Sequence, residues 1–469
     1  MTDTVLDLRG STVCVTGLGV SGPPVARALL SLGAVVTVVD GRDDDANRAR
    51  AEELRAEGIA VELGDPALPE GTTLVVTSPG WRPDSPLLVA AARDGIEVIG
   101  DVELAWRLKP ADQVWLAITG TNGKTTTVRM LEAMLRADGR RALAVGNVGT
   151  PVIEAVLDRG PGRPTVLAVE LSSFQLHWSS SLRPHAGVVL NIAADHLDWH
   201  GGLDAYAGAK AAVYARGTIR VVNVADSATR ALAEKHGDPH TPLVGFGLGT
   251  PRPGELGLVE DLLVDRAFVP DPAGSAEELA TVADVVPAAP HNVANALAAA
   301  ALARSVGVAP EAVRAGLREF APEPHRIAHV ATVAGVDYVD DSKATNPHAA
   351  AASLAAYPSI VWIAGGLLKG ADVADLVAGA ADRLRAVVLL GADRDRLRAA
   401  LTEHAAHVKV VEVERTDGAA MAEVVTAAAG LARSGDTVLL APAAASMDMF
   451  ANYNVRGDAF AAEVRSIRV

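Results

Sequence analysis

Apolar residues in this chain fall into short runs separated by stretches with helical spacing. Val13–Thr16, Val35–Val39, Leu74–Val76, Val114–Ile118, Val166–Val169 and Gly187–Leu190 are continuous runs of strand length. Runs of this kind read as strands covered on both faces, as in parallel sheets. A helix is predicted from the Gly-rich turn after Thr16 to Leu32, with Pro23-Pro24 in its first turn. Another is predicted over Thr125–Ala137, where Val128, Leu131 and Leu135 share a face and Gly139 is a stop signal. Residues 241–289 carry short apolar runs among Pro and Gly turns and read as a small β segment. Strand candidates then resume at Tyr338-Val339, Ile360–Ile363, Val387–Leu390, Val408–Val411 and Thr437–Leu440. The alternation predicts an α/β protein of three domains. They are a Rossmann-like domain over 1–109, a central P-loop-type ATPase domain over 110–324 and a Rossmann-like α/β domain over 325–469. Lys109-Pro110-Ala111-Asp112 and Pro322-Glu323-Pro324 supply the boundary signals.

Two Gly-rich turns sit between a strand and a helix. The first, Gly17-Leu18-Gly19-Val20-Ser21-Gly22, has the G-x-G-x-x-G spacing, with Asp40 ending the next strand. It describes a geometry in which a diphosphate meets a helix N-terminus, without naming the ligand. The second is Gly120, Thr121, Asn122, Gly123, Lys124, Thr125 and Thr126. Backbone N–H groups there wrap a phosphate chain, Lys124 adds a full charge, and the Thr125 hydroxyl suits Mg²⁺. Ile118 stands where the longer nucleotide-binding loop has its first Gly, so only the shorter G-x-x-G-K-T is matched.

Polar residues gather just past the strands. Glu170 ends one run, Asp195-His196 follows another, and Lys210 lies on a helical stretch after them. Strand C-terminal ends meet at one edge of an α/β sheet, which predicts Glu170, Asp195 and His196 close to Lys124 and Thr125. A metal on bound phosphates would find oxygen and imidazole ligands there. Asn292 and Asn295 share a face near the start of an Ala-rich helix, where Asn292 serves equally well as a cap. In the last third, Asp340–Pro347, Gly365–Gly370 and Ser446-Met447-Asp448 are strand-end clusters.

Composition narrows the class. With 469 residues, 49% of them hydrophobic, the chain has material for several cores. No uncharged apolar run is long enough to span a membrane, so no membrane insertion is expected. Asp3 and Asp7 leave no basic-then-apolar leader pattern. The single cysteine, Cys14, allows no internal disulfide and fits a reducing, cytoplasmic setting. A net charge of −15 opposes a broad nucleic-acid surface but leaves room for local anion sites.

With these pieces in place, the whole chain resembles the Mur ligase family. The motifs are GTNGKTT at 120–126, ELSSFQL at 170–176, NIAADHLD at 191–198, HNVANALA at 291–298, His325-Arg326, DDSKATNP at 340–347 and APAAASMDMFANYNVRGDAF at 441–460. DSKATN, with the G-x-G-x-x-G start, implies the branch that adds D-glutamate to UDP-N-acetylmuramoyl-L-alanine at the expense of ATP, in cytoplasmic peptidoglycan precursor synthesis. The resemblance implies that Val20, Ser21, Asp40, Arg42, Ser78, Gly80 and Asn147 bind the UDP substrate. The loop residues Gly120–Thr126, with Asn292, Asn295, Arg326, Asp341 and Lys343, are implied for ATP. Thr125, Glu170, His196 and Lys210 are implied for two Mg²⁺ ions, with Lys210 carrying a CO₂-derived carbamate. Thr345, Lys369, Ser446 and Tyr453 are implied for D-glutamate, although Tyr453 stands where the family is expected to have Phe. Lys124, Glu170, His196 and Lys210 are the implied catalytic group, and a monomer is expected. Three rivals stay open on the residues alone: a nicotinamide-dependent oxidoreductase, an ATP-driven switch, and a sister ligase with another amino acid or a folate-like acceptor.

Overall fold

The computed structural model describes residues 7–417 and 419–467; Asp3, used above, lies outside them. Three sheets organise the chain, with five, nine and six strands. The chain packs as two units. One runs to Ala288 and includes Asn292–Phe320; the other comprises Ala289–His291 and continues from Ala321.

The five-stranded sheet is parallel throughout, ordered Ala60–Leu63, Val35–Asp40, Thr12–Thr16, Leu74–Thr77, Glu97–Gly100. Its central strand is buried apart from the first residue, which is why it reads as an unbroken apolar run. The helix Gly22–Ser31 leaves that strand with Pro in its first turn. Gly22 is fixed by close approach, because a Cβ there would lie 1.8 Å from the Gly17 carbonyl oxygen.

In the nine-stranded sheet, Val114–Thr119 lies between Val166–Glu170 and Ala186–Val189. The chain leaves it on one side, through Ala142–Gly146 and Val166–Glu170, then crosses to the other. That reversal opens a crevice beyond the strand C-termini, the usual ligand position in such sheets. Residues 243–281 add the small β segment, which pairs in parallel at Leu243–Phe246 and antiparallel further out. The helix Pro290–Ser305 is buried on nearly every side, with Ala296–Ala303 all fully inaccessible. Its Ala content allows that close packing, and an all-round apolar helix belongs in a core.

The first two sheets are joined within the same unit. Glu103, fully buried, accepts from the Ser181 N–H at 3.1 Å and the Ser181 hydroxyl at 2.6 Å, and pairs with Arg107 at 2.8 Å. Trp106 meets Trp115 edge to face, with centroids 5.2 Å apart. The Gly100 N–H donates to the Trp178 carbonyl at 3.0 Å.

The six-stranded sheet of the second unit runs Ala328–Val333, Val336–Asp340, Thr437–Leu440, Ile360–Gly365, Leu384–Leu390, Lys409–Glu412. Only the first of these pairs antiparallel. Among the described residues no helix is long and apolar enough to cross a membrane.

Candidate active site

The phosphate loop begins where Val114–Thr119 ends, and the helix Lys124–Ala137 continues it. Gly123 has φ of 85°, and a Cβ there would sit 2.5 Å from Asn295 Oδ1, so two separate constraints call for glycine. Asn191 clasps the loop from the next strand end. It accepts from the Asn122 N–H at 2.9 Å and donates to the Asn122 carbonyl at 3.1 Å. The Thr121 hydroxyl lies 2.9 Å from the Tyr206 hydroxyl. Lys124 Nζ donates back to the carbonyls of Gly120 and Thr121, at 3.0 and 2.9 Å. Thr125, 5% exposed, occupies the first helical turn.

Glu170 lies level with Ile118 in the strand register. Its Oε1 accepts from the Asn147 amide at 3.0 Å, while Oε2 is buried with no hydrogen-bond partner. A carboxylate oxygen withheld from water and left unbonded is costly unless a cation joins it. Lys210 ends the helix Leu203–Lys210 and is 2% exposed. Its Nζ donates to the Gly120 carbonyl at 2.8 Å, near Thr119 Oγ1 at 3.4 Å, and stands 4.6 Å from the Tyr206 ring centroid. Burial, reinforced by the charge of Lys124, pushes its pKa well below the usual lysine range, against the pull of Asp195 and Glu170. Those mutual effects place Lys124, Glu170, Asp195 and Lys210 in one electrostatic cluster. His196 has φ of 52° and lies 3.6 Å from Asp195. Burial lowers its pKa against the pull of Asp195, which favours the neutral imidazole. Phe174 packs on it with centroids 4.7 Å apart.

The strand-edge expectation names Glu170, Asp195 and His196 beside Lys124 and Thr125; the structure brings Lys210 to the same cluster, on the Gly120 carbonyl. Among the described residues no three His, Cys, Asp or Glu side chains converge as a metal cluster. Any cation here would lean on phosphate oxygens and few protein groups, which suits Mg²⁺. Asn292 and Asn295 are both buried and linked at 3.4 Å, and the helix starts at Pro290, so Asn292 lies inside the first turn and is not its cap.

At the five-stranded sheet, Asp40 uses both carboxylate oxygens on backbone, accepting from the Leu18 and Arg42 N–H groups at 2.8 and 2.9 Å. It shapes the turn beneath Val20, which is 83% exposed. The Ser78 hydroxyl is buried without a partner near Gly17, on the same edge; Arg42 and Gly80 are exposed there.

In the second unit, Asp341 is buried, accepts from the Ser353 hydroxyl, and is raised to about 6 by desolvation. The side chain of Arg326 acts on it in the opposite sense and pairs with Glu323 at 3.5 Å. Lys343 Nζ sits 4.0 Å from the Tyr453 ring centroid. Thr345 donates its N–H to the Lys343 carbonyl at 2.8 Å, Lys369 is exposed with φ of 50°, and Ser446 is buried. His325, Ile327, Lys369 and Ala443 all have positive φ. Non-Gly residues in this region carry local backbone strain, which the surrounding structure must hold in place. Asn191, Tyr206 and Arg456 carry much of the geometry without having been singled out in the sequence; Asn191 and Arg456 did lie inside the quoted motifs.

Comparison with known proteins bears on the whole chain. Residues 11–100 match the family model described as Mur ligase MurD-like, N-terminal domain, residues 118–303 the Mur ligase middle domain, and residues 325–444 the Mur ligase, glutamate ligase domain. The chain is 76% identical over 463 residues to the UDP-N-acetylmuramoylalanine–D-glutamate ligase of Thermobifida fusca, covering 98% of this chain and 100% of that one. The protein of the same name from Mycolicibacterium smegmatis is 49% identical over 494 residues, with 97% of each covered. In fold the chain is similar to a pseudomurein peptide ligase type C from Methanothermus fervidus, with TM-score 0.59 and 19% identity over 97% of this chain and 100% of that one. It is also similar to the UDP-N-acetylmuramate-alanine ligase of Thermotoga maritima, with TM-score 0.56 and 21% identity over 97% and 99%.

Proposed function

The chain belongs to the Mur ligase family, and on that premise we propose that it joins D-glutamate to UDP-N-acetylmuramoyl-L-alanine, cleaving ATP to ADP and phosphate. The observation that carries the reading is near-full-length identity of 76% to a relative named for this reaction. The setting is peptidoglycan precursor synthesis, in the cytoplasm, and the three sheets are assigned as three domains with boundaries near residues 109 and 324.

The chemistry follows from charge. A carboxylate is a poor electrophile at pH 7. Transfer of the γ-phosphoryl group of ATP to the substrate carboxylate makes an acyl phosphate. The D-glutamate amine attacks its carbonyl carbon, and the tetrahedral intermediate expels phosphate to leave an amide. Two anions must meet in the first transfer. Lys124 and the loop N–H groups offset that repulsion, and Lys343 is assigned to the same phosphates. Neutral His196 fits either of two duties, ligating a cation or taking the proton that the D-glutamate ammonium must lose. Asn292, Asn295, Arg326 and Asp341 are assigned to ATP, and Thr345, Lys369 and Ser446 to the D-glutamate carboxylates. Val20, Ser21, Ser78 and Gly80 are assigned to the UDP substrate, with Asp40 and Arg42 toward the uracil and Asn147 toward the diphosphate.

The residues present fit Mg²⁺. The orphaned Glu170 oxygen is the test, and Thr125, Glu170, His196 and a carbamylated Lys210 would hold the ions. Bound there, Mg²⁺ would neutralise charge on the transferring phosphoryl group. A carbamate on Lys210 also fits, since a buried amine driven to its neutral form is the one that adds CO₂.

Phosphate release across amino acids of both hands, with UDP-N-acetylmuramoyl-L-alanine as acceptor, tests the reading. Turnover with D-glutamate alone is expected. A flat response across the panel, or preference for another amino acid, would overturn it.

A further inference from the structure

We propose that Tyr453 is a positioning residue for Lys343, its ring face holding the ammonium and not meeting a D-glutamate carboxylate. The inference rests on the ligase reading and deepens it. The helix Tyr453–Ser466 starts at the Asn452 cap, and its first turn grips the segment that carries Lys343. Ser342 Oγ donates to the Tyr453 carbonyl at 2.8 Å. Arg456, 1% exposed, donates from Nε to Ser342 Oγ at 3.0 Å and from Nη2 to the Ser342 carbonyl at 2.8 Å. Its Nη1 donates to the Ala444 carbonyl at 3.1 Å, tying in the strand-end turn that leads to Ser446. On the other side, the Lys343 N–H donates to the His325 carbonyl at 3.2 Å.

The backbone around Lys343 is thus held, and the ring of Tyr453 lies against the end of its side chain. At 4.0 Å from the centroid, Nζ lies within the range where the negative ring face attracts a cation. That face is occupied by the lysine and so is not offered to a substrate carboxylate, which it would repel. The same geometry accounts for Tyr standing where Phe is expected: the ring face acts, and both residues possess it.

The test holds ring volume fixed and changes ring charge. Tyr453→Phe should keep kcat within about twofold. Replacing that Phe by mono-, di- and trifluoro-phenylalanine weakens the ring quadrupole without changing the packing. kcat should fall stepwise along the series, while KM for D-glutamate stays within about twofold. Tyr453→Leu should lower kcat about tenfold in the native chain and add little in a Lys343→Ala background, where the interaction is already gone. Thermal melts of each variant check folding; should the Leu variant unfold, the isosteric series alone decides. A flat fluorination series, a KM for D-glutamate that rises in step with fluorination, or an additive loss in the double variant would overturn the inference. Wild type is assayed alongside. Wild-type turnover with a flat series sinks this inference only, whereas wild type inert toward D-glutamate sinks the ligase reading and this inference with it.

Discussion

Lys210 and Lys343 each rest against a tyrosine ring, at 4.6 and 4.0 Å, yet their surroundings differ. Lys210 is 2% exposed and gives its amine to the Gly120 carbonyl. Lys343 is half-buried on a segment held by backbone contacts. Burial decides what a ring contact means. In the first case desolvation works against the charge, and the ring is one wall around a buried amine. In the second, less water is lost, and the ring is a seat for a cation. The same pair of side chains thus surrounds one amine whose charge burial disfavours and another whose charge the ring attracts.

The sharpest break of this comparison is chemical rescue. Lys210→Ala should lose activity by about a hundredfold or more, as for other groups at a transferring phosphoryl. Formate or acetate should restore part of it by replacing the carbamate oxygens. Lys343→Ala should lose about tenfold to a hundredfold and gain nothing from either anion. Rescue of both, measured by phosphate release, would erase the distinction.

A second test is pH-dependent stability. Unfolded lysine titrates near about 10.4, whereas folded Lys210 titrates well below its ordinary range. Between those values the unfolded chain binds the extra proton, so wild-type stability gains with rising pH, by up to about 1.4 kcal/mol per unit. The penalty is full below the folded pKa and gone above the unfolded one. Lys210→Met lacks it, so in CO₂-free buffer its stability relative to wild type should decline as pH climbs from 7 to 10. Parallel denaturant curves across that range would contradict the burial argument.

The smallest contrast is between two ring-preserving changes. Tyr206→Phe deletes the hydrogen bond to Thr121 and should cost about 1 kcal/mol in chemical denaturation. Tyr453→Phe should cost under about 0.5 kcal/mol, as expected where no buried bond is cut. Equal costs would mean that the two rings are used alike.

The frame of the fold was legible because parallel strands covered on both faces are continuous apolar runs, and because the turns carry Gly at fixed offsets. The edge strand Ala328–Val333 was missed: its burial is only partial, so no clean run marks it. Within the site, residue types at strand ends were readable, but their use of individual atoms was not. Asp40 reads as a residue for the UDP substrate, and its two oxygens also each accept from a backbone N–H, a use that no motif records. Asn292 reads equally well as a cap or as a ligand contact, and the helix begins earlier, at Pro290, which removes the cap reading. The depressed pKa of Lys210 comes from burial and from the charge of Lys124, far along the chain, which no local pattern records. Arg456 was hidden differently, since an Arg on a terminal helix reads as solvated unless its burial is known.

Glu103 has a consequence for the chain's history as much as for its stability. A carboxylate with no access to solvent accepts from Ser181, far along the sequence, while Trp106 leans on Trp115. An exchange of the first sheet between relatives would part Glu103 from Ser181 and Trp106 from Trp115, leaving Arg107 as the partner that travels with the carboxylate. The first two sheets should therefore tolerate recombination between them poorly, and breakpoints there should be rare among viable hybrids.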